Sequence, residues 1–188
     1  MSSNLKIIIF FLFVGLSMNS CRHGGDKAIE KEVKLRFNNK ITLVDTLKAY
    51  SIENGWKDFR LTKNPKVVSY LNGGCGSCLF ELLQWSNFIN ENNFKGIDFL
   101  FYVYTPNVDQ TIALVSQIGF IYDLIIDHGN VFFEINKLSP DKRFHTFLVD
   151  KDGNVLVIGN PTVDTDIRSL YLETINSIST GKSPSPGS

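Results

Sequence analysis

The stretch Gly73-Gly74-Cys75-Gly76-Ser77-Cys78 joins a predicted strand to a predicted helix and carries two cysteines two residues apart. Residues 66–71 (KVVSYL) precede it, and such a short run of β-branched and aromatic residues is typical of a buried strand. The two glycines allow the backbone to turn. Apolar residues then recur at helical spacing, at Leu79, Leu82, Leu83 and Ile89. The sequence therefore predicts that both cysteines lie on the first turn of a helix.

A pair of thiols at the start of a helix is suited to redox chemistry. The unpaired N–H groups of the first turn and the helix dipole stabilise a thiolate and so lower the pKa of a cysteine. Cys75 is nearer the helix start and is predicted to be the nucleophile, while Cys78 is predicted to be the resolving thiol. Such a dithiol attacks a disulfide and then closes on itself. Two alternatives stay open: an inert structural pair, and half of a zinc or copper site that needs further ligands.

Strands and helices alternate after this motif. The predicted elements are a strand at 97–104, a helix at 108–118, a strand at 122–126, a short helix at 131–137, a hairpin of strands 144–149 and 155–158, and a helix at 165–178. The hairpin is the clearest, because an Asp-Gly turn separates its two β-rich runs. Before the motif, residues 35–43 suggest a short strand and residues 45–50 are ambiguous. This order predicts an α/β fold with a central mixed sheet.

The order of elements, with Cys-x-x-Cys opening the first long helix, resembles the thioredoxin fold over residues 66–178. The segment Thr146-Phe147-Leu148-Val149-Asp150-Lys151-Asp152-Gly153 resembles the penultimate strand and turn of membrane-anchored, periplasm-facing thioredoxin-like proteins of bacteria. The resemblance implies a mixed β-sheet flanked by helices. It also implies a thiol–disulfide oxidoreductase that uses Cys75 and Cys78 without a cofactor and acts on exported proteins with thiols or disulfides.

The chain departs from the resembled family at three positions near the dithiol. Its reductases often carry Trp before the first cysteine and Pro before the second, where this chain has Gly74 and Ser77. The family also has a cis-proline three residues before the Phe of its Phe-Leu-Val/Ile-Asp strand, where this chain has Phe144. A cis bond before a residue other than proline costs about 3 kcal/mol, so a trans bond is expected. We predict an altered substrate groove, with Phe144 and the adjacent His145 as its substrate-binding residues.

The histidines bear on the alternatives to this function. His145 could lie near Cys75 and lower its pKa, bind a metal, or simply be a strand histidine that faces solvent or packs against the sheet, and the last is favoured. His128 lies in a predicted loop, and a second Cys-x-x-Cys is absent from the sequence, so no metal is assigned. The second candidate function is a non-catalytic thioredoxin-like binding lipoprotein, for example a metallochaperone. The third is an interaction module in which the two cysteines are structural.

The N-terminus has the pattern of an export signal. One lysine precedes an uninterrupted apolar run at 7–16, which is too short to span a bilayer but fits a signal-peptide core. Ser20-Cys21 then resembles the end of a bacterial lipoprotein signal, which implies lipidation of Cys21. We predict a signal peptide at 1–20, a flexible tether at 21–33, a thioredoxin-like domain at 34–180 and a disordered tail at 181–188.

Cysteine usage and charge agree with that organisation. The chain has three cysteines, so lipidation of Cys21 leaves one pair, Cys75 and Cys78. In an exported protein, a single pair this close in sequence is more typical of a redox-active dithiol than of a structural disulfide. With 19 basic and 19 acidic residues, the chain gives no case for nucleic acid. The expected location is the cell envelope, with the domain anchored to a bacterial membrane and facing the periplasm or the exterior.

Overall fold

The computed structural model describes residues 22–37 and 39–180. The predicted signal peptide at 1–20, the lipidated Cys21 and the tail at 181–188 lie outside the described residues. The chain divides after Leu35 into two compact units, and the second, which begins at Arg36, contains the sheet and the dithiol. None of the helices in the described part of the chain is both long and apolar enough to span a bilayer.

The first described element is a helix, α1 (Arg22–Phe37). The sequence predicted a flexible tether at 21–33, so the structure differs from that expectation over residues 22–33. The physical reason lies in residues 27–36, which are mostly good helix formers. Lys34 also donates to the Glu30 carboxylate at 2.6 Å, an i,i+4 pair that supports an exposed helix.

The second unit is built on one seven-stranded sheet in the order β2-β1-β5-β4-β3-β6-β7. The strands are β1 (Lys48–Ser51), β2 (Gly55–Asp58), β3 (Lys66–Asn72), β4 (Asp98–Tyr104), β5 (Leu124–Asp127), β6 (Thr146–Val149) and β7 (Val155–Ile158). Strands β3, β4 and β5 run parallel, and β6 and β1 join this centre antiparallel. The mixed sheet predicted from the sequence is confirmed.

The helices also follow the predicted order, with boundaries shifted by a few residues. They are α2 (Gly76–Asn92), α3 (Val108–Ile118), α4 (Val131–Ile135) and α5 (Thr165–Ser179), with a 3-10 turn at Lys142–Phe144 before β6. The strand predicted at 35–43 is wrong, since residues 35–37 belong to α1 and the described residues 39–43 form no strand, only an isolated bridge between Lys40 and Asn154. The hairpin of β1 and β2 was not predicted, because two strands of four residues carry too little pattern.

The core fixes the end of β3, where the dithiol loop begins. Six of the seven residues of β3 are buried, as expected for a central strand covered on both faces. Every third residue of the first part of helix α2 is buried and apolar, namely Leu79, Leu82, Trp85 and Phe88. Each large apolar side chain buried in this way contributes roughly 1.5–3 kcal/mol to folding. Strand β3 and the start of α2 are therefore a rigid support for the segment between them.

Candidate active site: two unequal thiols at a helix start

Backbone hydrogen bonds hold the loop between β3 and α2. The Gly73 N–H donates to the carbonyl oxygen of Tyr104 at 2.7 Å, which ties the loop to the end of the neighbouring strand β4. The Asn72 side chain accepts from the Gly74 N–H at 3.0 Å, and the Asn72 carbonyl accepts from the Cys75 N–H at 3.1 Å. The loop therefore delivers Cys75 to a defined position at the end of the sheet.

The two cysteines stand where the sequence placed them. Cys75 is the N-cap of α2, with extended backbone angles, and its carbonyl accepts from the N–H groups of Cys78 at 3.0 Å and Leu79 at 3.2 Å. Cys78 lies one turn later, and both side chains are free thiols that are partly exposed. Both thiols therefore lie within the first turn of α2, where its unpaired N–H groups and dipole favour a negative charge.

The environment of Cys75 favours its thiolate. Hydrogen bonding from the Cys78 side chain, then from the Ser77 side chain, lowers the pKa of Cys75 to about 7. The Ser77 hydroxyl oxygen lies 3.1 Å from the Cys75 sulfur. The N–H of Cys78 acts in the same direction. Near neutral pH about half of Cys75 is thus the reactive thiolate.

The environment of Cys78 favours its protonated thiol. Burial is the main cause, followed by the hydrogen bond and the negative charge of Cys75, and together they raise the pKa of Cys78 to about 11. The carboxylate of Glu81 raises it further and the ammonium group of Lys142 opposes this. The pKa of Cys75 is therefore well below that of Cys78, which fits a nucleophile and its resolving thiol.

The Glu81 carboxylate, which the sequence analysis did not identify, lies near Cys78. Glu81 follows Cys78 by three residues on α2, so the two share a helix face. Burial raises the pKa of Glu81, while the charge of Lys142 and a hydrogen bond from Asn160 lower it. The Lys142 Nζ atom lies 3.8 Å from Glu81, and Asn160 donates to Glu81 at 3.2 Å. The i,i+3 spacing could have revealed Glu81, whereas Lys142 and Asn160 come from distant loops.

Phe144 ends the 3-10 turn directly before β6. Its side chain is buried, at 7% exposure, and the Arg143 guanidinium lies 5.8 Å from its ring centre. No peptide bond in residues 22–37 and 39–180 is cis, so the trans bond expected before Phe144 is confirmed. The backbone carbonyl of the next residue, His145, accepts from the Tyr70 N–H at 2.9 Å, which continues the pairing of β6 with β3. Phe144 therefore stands beside the end of β3.

The His145 ring packs against the sheet. It makes edge contacts with Tyr70 and Phe133, with ring centres 5.2 and 5.8 Å apart, and its Nε2 atom lies 2.6 Å from the Ser139 carbonyl. Burial lowers the pKa of His145. None of these contacts of His145 involves either thiol. No cluster of three or more His, Cys, Asp or Glu side chains able to hold a metal ion occurs among the described residues.

Solved structures share this architecture at low sequence identity. A candidate thiol:disulfide interchange protein DsbE from Chlorobium tepidum superposes with a TM-score of 0.54 and 13% identity, over 73% of this chain and 98% of that one. The thioredoxin domain of a thiol-disulfide oxidoreductase from Bacteroides vulgatus gives 0.54 and 13%, over 73% and 99%. No protein-family model and no curated protein matches the sequence. The likeness establishes that the fold is thioredoxin-like, as the sequence predicted.

Proposed function

We propose that this chain is a thiol–disulfide oxidoreductase that acts on protein disulfides through Cys75 and Cys78. The observation that carries the proposal is the placement of two free thiols in the first turn of α2, where the pKa of Cys75 is lowered to about 7 and that of Cys78 is raised to about 11. This difference in pKa is expected for a nucleophile and its resolving partner, whereas an inert structural pair does not require it. The thioredoxin-like fold supports the proposal as an analogy of architecture.

The proposed reaction has two exchange steps. The Cys75 thiolate attacks one sulfur of a substrate disulfide, forms a mixed disulfide and releases the other substrate sulfur as a thiolate. Cys78 then loses its proton and attacks the Cys75 sulfur, which forms the Cys75–Cys78 disulfide and releases the second substrate thiolate. The substrate gains two electrons and the dithiol loses two. In the opposite direction the same steps oxidise a substrate dithiol.

Glu81 is the proposed proton acceptor for Cys78 in the second step. Burial is the main cause of the raised pKa of Cys78 and still acts in the mixed disulfide, so the Cys78 thiol stays protonated near neutral pH and its attack needs a base. Glu81 lies on the same helix face and its charge acts on Cys78. The hydrogen bond from Asn160 favours the ionised form of Glu81, which is the form that accepts a proton.

Insulin reduction together with the reduction potential of the dithiol tests the function. We expect the reduced protein to accelerate insulin reduction and the Cys75–Cys78 couple to have a potential above about −300 mV. A stabilised thiolate favours the reduced form and raises the potential. A potential below that value, with no insulin reduction, would instead identify a structural pair. Stoichiometric binding of copper or zinc with loss of the free thiols would favour the metallochaperone.

The proposed location is the bacterial cell envelope, with a signal peptide at 1–20, Cys21 as the lipid attachment site and the domain facing the periplasm or exterior. The support is the apolar run at 7–16, followed by Ser20-Cys21. Several acyl chains bind a membrane far more firmly than one, which gives only marginal attachment. Exported proteins with thiols or disulfides are the proposed partners.

Replacing Cys21 by alanine will abolish incorporation of labelled palmitate if that cysteine carries the lipid. The measurement is metabolic labelling of the full chain followed by immunoprecipitation, with Cys78→Ala as the matched control that must keep the label. Palmitate that still enters the Cys21→Ala protein would contradict lipidation at this residue.

We also propose that Phe144 and His145 restrict which substrates reach the dithiol. Phe144 occupies the position of the resembled family's cis-proline, its side chain is buried, and the residue after it pairs with Tyr70 of β3. Phe144→Pro is expected to increase the turnover of a generic disulfide substrate. The Phe144 N–H donates to the Asp141 carbonyl at 3.1 Å in the wild-type protein. Proline lacks this N–H, so the substitution also lowers the free energy of unfolding by about 1 kcal/mol or more.

Circular dichroism must therefore show that the Phe144→Pro protein is folded before its activity is compared with wild type. Arg143→Ala alters the neighbouring exposed residue and serves as the control. If folded Phe144→Pro has the activity of wild type, and wild type reduces insulin readily, Phe144 does not restrict substrates.

A further inference from the structure

The 3-10 turn before β6 presents a lysine to the dithiol site. The turn is closed by the Phe144 N–H, which donates to the Asp141 carbonyl at 3.1 Å, and by the His145 N–H, which donates to the Lys142 carbonyl at 3.2 Å. The Asp141 side chain accepts from the Arg143 N–H at 3.0 Å and caps the turn. The backbone of Lys142 is therefore fixed, and its Nζ atom lies 3.8 Å from the Glu81 Oε1 atom.

The second oxygen of Glu81 is held from a third segment, the loop after β7. The Asn160 Oδ1 atom accepts from the Thr162 N–H at 2.9 Å and from the Thr162 hydroxyl at 2.8 Å. These two bonds settle the orientation of the amide, so its Nδ2 group faces Glu81 and donates to Oε2 at 3.2 Å. One carboxylate beside the resolving thiol is thus contacted by both loops.

We propose that Lys142 is a positioning residue, whose ammonium group keeps the Glu81 carboxylate ionised so that it accepts the Cys78 proton in the resolving step. The inference rests on the proposed function and deepens it. Among the described residues, Lys142 approaches Glu81 from the 3-10 turn and Asn160 from the loop after β7, while Cys78 lies three residues before it on the same helix and is affected by its charge. The neighbouring Arg143 is bound to Asp141 at 2.6 Å and does not replace Lys142.

The opposing effects on Glu81 define what Lys142 contributes. Burial raises the pKa of Glu81 and so favours the protonated form, which cannot accept a proton. The positive charge of Lys142 is the first of the two influences that lower this pKa again. The Lys142 side chain is 73% exposed and that of Glu81 is 22% exposed, so the pair is partly screened by solvent. The expected effect on the resolving step is therefore a few-fold change in rate.

The step is balanced as written. In the mixed disulfide between Cys75 and the substrate, the Cys78 proton passes to Glu81 and the Cys78 thiolate attacks the Cys75 sulfur. The Cys75–Cys78 bond forms, the bond to the substrate sulfur breaks, and the substrate leaves as a thiolate. Glu81 then returns its proton to water, and Lys142 stays charged throughout.

A stopped-flow reaction of the reduced full chain with excess dithiobis(nitrobenzoate) separates the two steps. Attack by Cys75 releases the first nitrothiobenzoate at a rate that depends on reagent concentration. Attack by Cys78 on the resulting mixed disulfide releases the second at a rate that does not. Cys78→Ser identifies the second phase, because that variant lacks it. The rates of both phases are measured between about pH 5 and pH 8.

Lys142→Met should shift the pH dependence of the second phase to higher pH and slow it about two- to fivefold on the acidic side. Loss of the positive charge raises the pKa of Glu81 further, so less carboxylate is ionised at a given pH. Lys142→Arg should restore the wild-type profile. Lys151→Met, which removes an exposed lysine from the β6–β7 turn, should leave it unchanged. High salt should move wild type towards Lys142→Met.

The two phases keep the inference separate from the proposed function. An unchanged second-phase profile in Lys142→Met overturns the role of Lys142, and so does a Lys142→Arg protein that behaves like Lys142→Met. Neither result affects the role of Cys75. If the first phase of wild type is no faster than that of a free cysteine peptide, the proposed function fails first.

Discussion

Replacing Cys75 by serine is expected to lower the rate of insulin reduction by on the order of a thousandfold, since the attacking sulfur is lost. Replacing Cys78 by serine should have a different consequence. The Cys75 thiolate still attacks, but nothing resolves the product, so mixed disulfides with substrate proteins accumulate. Non-reducing gel electrophoresis detects them as adducts that disappear on reduction.

The double Cys75→Ser, Cys78→Ser protein is the control for adducts that form without the dithiol. Trapped partners in the Cys75→Ser protein, at the level seen with Cys78→Ser, would assign the wrong nucleophile. The absence of adducts from both variants would favour an inert pair.

Alkylation of the reduced protein tests the same difference without a substrate. At about pH 7 these pKa values leave Cys78 with about five-thousandfold less thiolate than Cys75. The Cys78 thiolate is more basic and therefore intrinsically more nucleophilic than the Cys75 thiolate. At a Brønsted slope of about 0.4–0.5 this offsets up to roughly a hundredfold of the difference in thiolate population. Cys75 is therefore expected to react roughly a hundredfold faster, as peptide mapping after limited treatment with iodoacetamide would show. The preference should shrink as the pH rises above the pKa of Cys75.

Gly73→Ala is expected to lower the free energy of unfolding by about 1–3 kcal/mol. A Cβ atom at Gly73 would lie 2.9 Å from the Val103 Cγ1 atom and 3.1 Å from both the Thr105 Cβ and Thr111 Oγ1 atoms. All three neighbours are buried. Thr111 also donates to Thr105 at 2.8 Å, so the neighbours cannot withdraw without losing that bond.

Urea denaturation of Gly73→Ala and Gly76→Ala measures this effect with a matched control. A Cβ atom at Gly76 meets nothing within 4 Å, and Gly76 is the first residue of α2. Alanine there is expected to stabilise the protein by about 0.4–1 kcal/mol, because it restricts the unfolded chain. Equal unfolding free energies for the two variants would contradict the close contact at Gly73. Disulfide exchange should also slow in Gly73→Ala, because the loop that carries Cys75 must shift.

The sequence by itself determined the features that act within a few residues. The run at 66–71, the glycines after it and the apolar spacing from Leu79 placed both cysteines at the start of a helix, and the structure confirms this. Hairpin turn chemistry likewise identified β6 and β7. The order of these elements predicted an α/β fold with a central mixed sheet. With Cys-x-x-Cys at the start of the first long helix, that order resembles the thioredoxin fold.

Local pattern was less informative where neighbouring structure decides. Strands β1 and β2 have only four residues each, and β1 is held by pairing with β5, which is far away in sequence. The helix at Arg22–Phe37 reflects intrinsic propensity that the charged composition concealed.

Only the tertiary structure decided the surroundings of the thiols. The sequence named Cys75 as nucleophile from the helix dipole, and the structure adds hydrogen bonds from the Cys78 and Ser77 side chains that lower the pKa of Cys75. The i,i+3 spacing from Cys78 could have revealed Glu81, but only the structure shows its partners, because Asn160 is 79 residues away and Lys142 comes from another loop. Hydrogen bonds and charges act through space over a few ångströms. The tertiary fold determines which distant residues come within that range, because the sheet brings several connecting loops together at one end of its strands.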